Sequence, residues 1–306
     1  MFGLNNFSFA ELWSPVVLLL YVVIAAAYVL ITGPYRHLFA DSEPLGWGRR
    51  LMFLLGLFLF YFAQSGPLEV LAHIMFSAHM IAMTVSYIIA PPLLIVGIPA
   101  WVWRWFLGLK FLRPFRFLSR PVVSIILFNG LFSLYHMPVI LDYVMLNFTI
   151  HRILYAALFL TSMLMWWPIM CPVPERNRMS ELQKMAYIIV AGVLLTPACA
   201  LIIFAPSSLY DTYSNPVVWA TALTYCIPGN PEMFLEMFEG PGFFTSLTAV
   251  DHQQIGGISM KLIQEFLYIS ILAWVFRQWF KKERKREAEM DDETVILEWR
   301  RRMKQV

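Results

Sequence analysis

Apolar stretches separated by short polar connectors set the frame of this chain. Seven can be read, at about 13–32, 51–64, 71–96, 122–135, 153–170, 185–204 and 258–280. A helix needs roughly 20 residues to cross a hydrocarbon core of ~30 Å. The second and fourth stretches fall short of that and are expected to recruit flanking residues or sit beside thinned bilayer. The pattern therefore predicts an all-α bundle of seven transmembrane helices. Pro91 and Pro92 are expected to break the third span near one face. Asn215-Pro216, in the long connection 205–257, predicts a cap and first turn of a short helix.

Composition agrees. Hydrophobic residues make up 59% and charged residues 14% of 306 residues, against about 25% charged in soluble domains. Mean hydropathy is +0.63. The net charge of +3 matters less than its distribution, because of 23 Lys and Arg only Arg152 and Lys261 lie outside the loops after spans one, three and five and the tail from Arg277. By the positive-inside rule the N-terminus is expected outside and the C-terminus in the cytoplasm. The first dozen residues contain Glu11 and no basic group, so the first span is expected to remain as an anchor. The chain divides into a seven-span domain (1–280) and a charged cytoplasmic tail (281–306), where Val295, Ile296, Trp299 and Met303 form a weak amphipathic patch. Between spans three and four, Trp and Phe interleave with Arg and Lys over 101–120, an interfacial segment on an anionic leaflet. Pinned between two spans, it argues for the lipid bilayer as partner and against nucleic acid.

Candidate chemistry concentrates in HIMFSAHMIAMTVSYIIAPP, 73–92. In one continuous helix Met75, His79 and Met83 form a stripe at i, i+4 and i+8, with His73 and Met80 on a second stripe. A histidine inside a span is costly and marks a functional site or a hydrogen-bonded core residue. His136 at the end of span four, His151 at the start of span five and His252 at the start of span seven fall, with His73 and His79, on the side expected to be outside. His37 lies on the other side and is expected to be solvated. Helices meeting in a bundle can converge such side chains on one centre. Imidazole with thioether favours copper, Cu(I) above all, and Asp251 is a candidate for orienting an imidazole. Heme held by paired histidines is the alternative. A scaffold in which His and Met only pack is the third. No HExxH, CxxC or CxxCH occurs. Cys199 and Cys226 could pair, supply soft ligands or stay inert. Span five carries a polar stripe of His151, Tyr155 and Ser162, and span seven an internal Lys261–Glu265 ion pair at i, i+4.

These motifs resemble a known family. His79-Met80, the AlaProPro at 90–92 and GlyIlePro at 97–99 are similar to the HM…APP…G-x-P signature of the CtaG proteins, assembly factors for cytochrome c oxidase in Bacillus-type bacteria. FNGLFSLYHMP (128–138), His151 leading to MWWP (165–168), LLTPACALIIF (194–204) and DHQQIGGISMK (251–261) continue the resemblance over nearly the whole chain. Many relatives carry a second His four residues before the His79 equivalent, where this chain has Met75. The resemblance implies a seven-span, non-enzymatic protein of a bacterial plasma membrane. Its implied role is to assist oxidase assembly, handling copper for the copper-containing catalytic subunit.

Overall fold

The chain folds as helices wherever its apolar runs are long enough, and the breaks between them carry the interest. In the computed structural model residues 4–112, 115–177 and 179–303 are described, with the backbone alone for Phe111, 291–295 and 297–303. Ser8 and Glu11 form a reciprocal capping box that starts α1 (Phe9–Trp13), and Pro15 opens α2 (Pro15–Thr32). Then follow α3 (Trp47–Gln64), α4 (Pro67–Ile74), α5 (Phe76–Thr84), a π-helical turn at Val85–Ile89, α6 (Ala90–Gly97), α7 (Ala100–Leu107) and α8 (Phe115–Leu118). The second half comprises α9 (Pro121–Tyr135), α10 (Pro138–Met145), α11 (Phe148–Met170), α12 (Glu181–Phe204), α13 (Asp211–Ser214), α14 (Pro216–Leu223), α15 (Pro231–Phe238) and α16 (Ala249–Met303).

Among the described residues six helical segments are long and apolar enough to cross a membrane, and a seventh results if α9 and α10 count as one span bent by 77°. The second short stretch reaches full length by recruiting α4, giving 28 residues from Trp47 to Ile74. The fourth is short because it ends in that bend.

Two expectations about the third span need correction. It begins at Phe76 rather than near 71, because Met75 is extended (φ −140°, ψ 137°) and serves as N-cap of α5. His73 therefore ends the second span, and the two stripes on one continuous helix do not exist. The break frees carbonyls of α4's last turn. Tyr213 donates to the Ala72 carbonyl at 2.7 Å and the Trp219 indole to that of Ile74 at 3.3 Å. Pro91 and Pro92 do not end the helix, which runs on to Gly97. The π turn absorbs the missing donors, and the Ser162 hydroxyl donates to the Tyr87 carbonyl, the one that Pro91 cannot reach.

The main apolar core lies where α5, α6, α9, α11, α12 and α16 meet, around Met80, Tyr87, Phe128, Phe132 and Trp166. The outlying α2 buries little of its surface and offers Val16, Leu19 and Leu20 outward, as a lipid-facing helix should. Gly256 and Gly257 let α16 wedge between its neighbours. A Cβ on the first would meet Ser77 Cα at 3.0 Å, and one on the second Ile203 at 2.8 Å. The connection after α12 folds over the histidine end as a second cluster, with Trp219, Phe234, Phe238 and Phe244 against Val70, Ile74 and Met75. Within it Asn215 caps α14 through Val217 N–H at 3.0 Å, with Pro216 in the first turn, as the sequence predicts. Lys261 and Glu265 pair at 2.6 Å, also as expected. The tail continues α16 as helix and its residues 281–290 are mostly exposed. Ile296 is exposed, while Val295, Trp299 and Met303, the rest of the expected tail patch, lie outside the residues whose side chains are described.

Gly97 carries the α3–α6 contact, since a Cβ there would stand 2.6 Å from Phe53 N. Gly97→Ala is expected to lower stability by about 1–3 kcal/mol, read as a lower melting temperature in detergent. Gly130→Ala, with nothing within 4 Å of the new methyl group, should be neutral or stabilising.

Candidate functional site

Four of the candidate histidines come together. The last turn of α4 brings His73, the first turns of α5 bring His79, the α9–α10 bend brings His136, and the start of α11 brings His151. All are 2% exposed or less. The rings of His79 and His136 have centroids 6.0 Å apart, and those of His73 and His151 5.5 Å apart. Two phenols join the pairs: the Tyr135 hydroxyl is 3.4 Å from His79 Nε2 and 3.2 Å from the Tyr155 hydroxyl, while the Tyr155 ring lies 4.0 Å from that of His151. A continuous string of polar rings thus runs from the bend in the fourth span to the end of the second. Phe76 and Tyr213 pack on His79 and close the space around it.

The hydrogen bonds decide what these rings offer. His136 Nδ1 is 2.8 Å from the Phe132 carbonyl, one helical turn back. A carbonyl only accepts, so Nδ1 carries the proton and Nε2 keeps a lone pair. That Nε2 is buried without a partner among the described residues, as is Nε2 of His151. The backbone at His136 is itself secured, because its carbonyl accepts from Tyr210 at 2.8 Å. His73 Nδ1 is 3.0 Å from both the Glu69 carbonyl and Cys226 Sγ. Beside this pair, Arg152 meets Glu69 at 3.3 Å, so the acid that interrupts the second span is neutralised at the same end of the bundle.

The remaining candidates go elsewhere. Met75 packs with Val70, Ile74 and Trp219, whereas Met80 and Met83 sit in the main core beside Tyr87, a consequence of the break before α5. Met145 approaches the Tyr135 hydroxyl at 3.9 Å through its sulfur. His252 has both ring nitrogens engaged, by Ser77 Oγ at 2.8 Å and Thr245 Oγ at 3.0 Å, and lines a cavity of about 220 Å³ with Met75. Asp251 is tied to Thr248 by three hydrogen bonds that start α16, with its carboxylate on the Thr248 N–H at 2.9 Å. It orients a helix end, not an imidazole. His37 bonds the Pro34 carbonyl at 2.8 Å on the exposed surface, as expected.

Sequence reasoning missed Cys226 beside His73, 153 residues apart, and the Glu69–Arg152 pair. The second had a signal: Glu69 is the one acid in 47–97, and Arg152 one of two cations outside the basic loops. All three cysteines are free.

Among the described residues no three His, Cys, Asp or Glu side chains are placed to hold one ion together. A tetrahedral zinc site of such ligands is therefore not preformed. What the arrangement offers is one unpartnered imidazole nitrogen in each histidine pair, on His136 and on His151, both buried.

Fold and site together define a multi-pass helical membrane protein with a buried cluster of imidazoles and phenols at one end of its bundle. A family model described as cytochrome c oxidase caa3 assembly factor (Caa3_CtaG) matches residues 26–282. The chain belongs to that family, one of assembly factors and not of enzymes. No curated protein and no solved structure matches it.

Burial pushes the Cys226 thiol well above its ordinary pKa, with Glu69 adding to the rise. A raised value leaves less thiolate at pH 8, and thiolate is the reactive form. Iodoacetamide labelling of Cys226 at pH 8 should run about tenfold or more below a free thiol and recover on unfolding in dodecyl sulfate. Mass spectrometry of the labelled peptide reads this directly.

Proposed function

We propose that this protein assists cytochrome c oxidase assembly by holding copper, as cargo, between His79 and His136 and releasing it to the copper-containing catalytic subunit. The observation that carries this reading is the unpartnered, fully buried Nε2 of His136 beside the His79 ring. A buried polar atom without a partner costs about 1–3 kcal/mol, and a metal ion is the partner that a fixed imidazole lone pair fits. The bound ion would supply positive charge to that lone pair. The protein's own part is to keep Nδ1 of His136 on the Phe132 carbonyl so that Nε2 stays available. It must also let the Tyr135 hydroxyl turn from His79 toward Tyr155, which unmasks the second imidazole. His151, whose Nε2 is also free, and the His73–Cys226 pair stand next along the string of rings and would serve as way stations.

The distribution of Lys and Arg supports placing this end on the outer side of a bacterial plasma membrane. Heme has less support. The rings of Phe76, Tyr135 and Tyr213 fill the space around His79 and would need repacking to admit a macrocycle.

His79→Ala and His136→Ala should each reduce Cu(I) retained by the purified protein about tenfold or more. Oxidase activity in cells should fall with it and recover partly in excess copper. Met75→Leu and His252→Ala should retain the metal, because both side chains belong to other contacts. Elemental analysis beside a visible spectrum is the test. A full copper load in both histidine variants overturns the site, and a Soret band in the purified protein replaces copper with heme.

A further inference from the structure

The opposite end of the same helices carries a second candidate site, independent of the copper reading. There α8 and the start of α9 face the last turn of α11 and the connector beyond it across a cavity of about 370 Å³. One wall is aromatic, with the Phe115 and Trp167 rings edge to face at 5.3 Å. The other is cationic, lined by Arg116, Arg120 and Arg176 with Glu175 as the acid among the lining residues.

The charges do not cancel locally. Glu175 is taken by Arg104 at 2.9 Å. Among the described residues Arg176 reaches the Leu107 carbonyl, at 3.5 Å, and Arg120 lies over the Phe117 ring at 5.1 Å. Arg116 has no anionic partner among the described residues. The N-terminus of the 15-residue α9 opens on the same cavity through Pro121, and no side chain caps it. Its first N–H groups and the helix dipole add to the positive potential.

Guanidinium forks match phosphate oxygens in pairs. The cavity also sits where α9 begins and α11 ends, and Phe115, Arg116 and Arg120 in its lining belong to the aromatic and basic segment 101–120 expected at the bilayer boundary. We propose that this cavity binds the phosphate group of an anionic ligand, and that its place at the bilayer boundary makes an anionic phospholipid headgroup the source.

The test uses the full-length protein in detergent, exchanged against equal phosphatidylglycerol and phosphatidylcholine and examined by native mass spectrometry. Arg116→Gln with Arg120→Gln should cut phosphatidylglycerol retention about tenfold or more. Lys281→Gln with Arg286→Gln, an equal loss of charge in the exposed tail, should leave it unchanged. Equal retention in the cavity variant, or equal loss in the tail variant, overturns the proposal. A readout on the unaltered chain guards against misfolding of the variant. Brominated phosphatidylglycerol should quench tryptophan fluorescence more than brominated phosphatidylcholine, and Trp167→Phe should remove the excess. Absence of that excess also overturns the proposal. If millimolar inorganic phosphate displaces the lipid and is retained in its stead, the phosphate chemistry stands and its source is the aqueous phase.

Discussion

Inside a bilayer no water is available to a backbone N–H or C=O, so every interruption of a helix must be repaired from within the protein. The geometry of this chain follows from that constraint. Its spans are interrupted at Met75, at the π turn before Pro91 and at His136, and each interruption is met by a side-chain donor from another helix or from the long connection. Tyr213 and Trp219 serve the first, Ser162 the second and Tyr210 the third. His73 and His79 flank the first of these places, and His136 stands at the third. Loss of one repairing hydroxyl would leave a buried carbonyl unpaired at a cost of about 1–3 kcal/mol and would move the ring attached to the same stretch of backbone.

The same constraint sharpens the meaning of the atoms that remain unrepaired. The backbone near His136 is satisfied on both sides, through Phe132 and Tyr210, yet the Nε2 of its ring is not. Tyr213 and Tyr210 donate their hydroxyls to carbonyls at two of the interruptions, while this imidazole nitrogen stays bare beside another imidazole. The phenols of Tyr135 and Tyr155, which bond to each other, supply a polar link without fixed charge between the two histidine pairs.

How much of this the sequence disclosed depends on the range of the interaction. The spans, the Asn215-Pro216 cap and the Lys261–Glu265 pair rest on neighbours a few residues apart, and periodicity or residue type reveals them. The gathering of His79, His136 and His151 was legible because each lies toward the end of a different apolar run that the charge pattern assigns to one side. The break at Met75 was not. Its extended backbone is stabilised by Tyr213 and Trp219, 141 and 145 residues away from the carbonyls they reach. That break turns a presumed single stripe into two faces, sends Met75 into another cluster and moves His73 to the preceding span. Proline misled for the opposite reason: Pro91 and Pro92 lie in a helix whose missing bond is repaired by Ser162 from α11. Asp251 was misread because its partner is local, Thr248, and a helix cap competed successfully with a distant imidazole.

The helix α16 runs for 55 residues from Ala249 without a proline, roughly 80 Å at the usual rise and more than twice the thickness of the hydrocarbon core. Near its start, Gly256 lies so close to the helix that carries His79 that a Cβ there would meet Ser77 and Met80 at 3.0 Å. One unbroken helix thus joins the imidazole-bearing end of the bundle to the basic tail, so both ends belong to a single backbone element with no hinge residue of the proline kind between them.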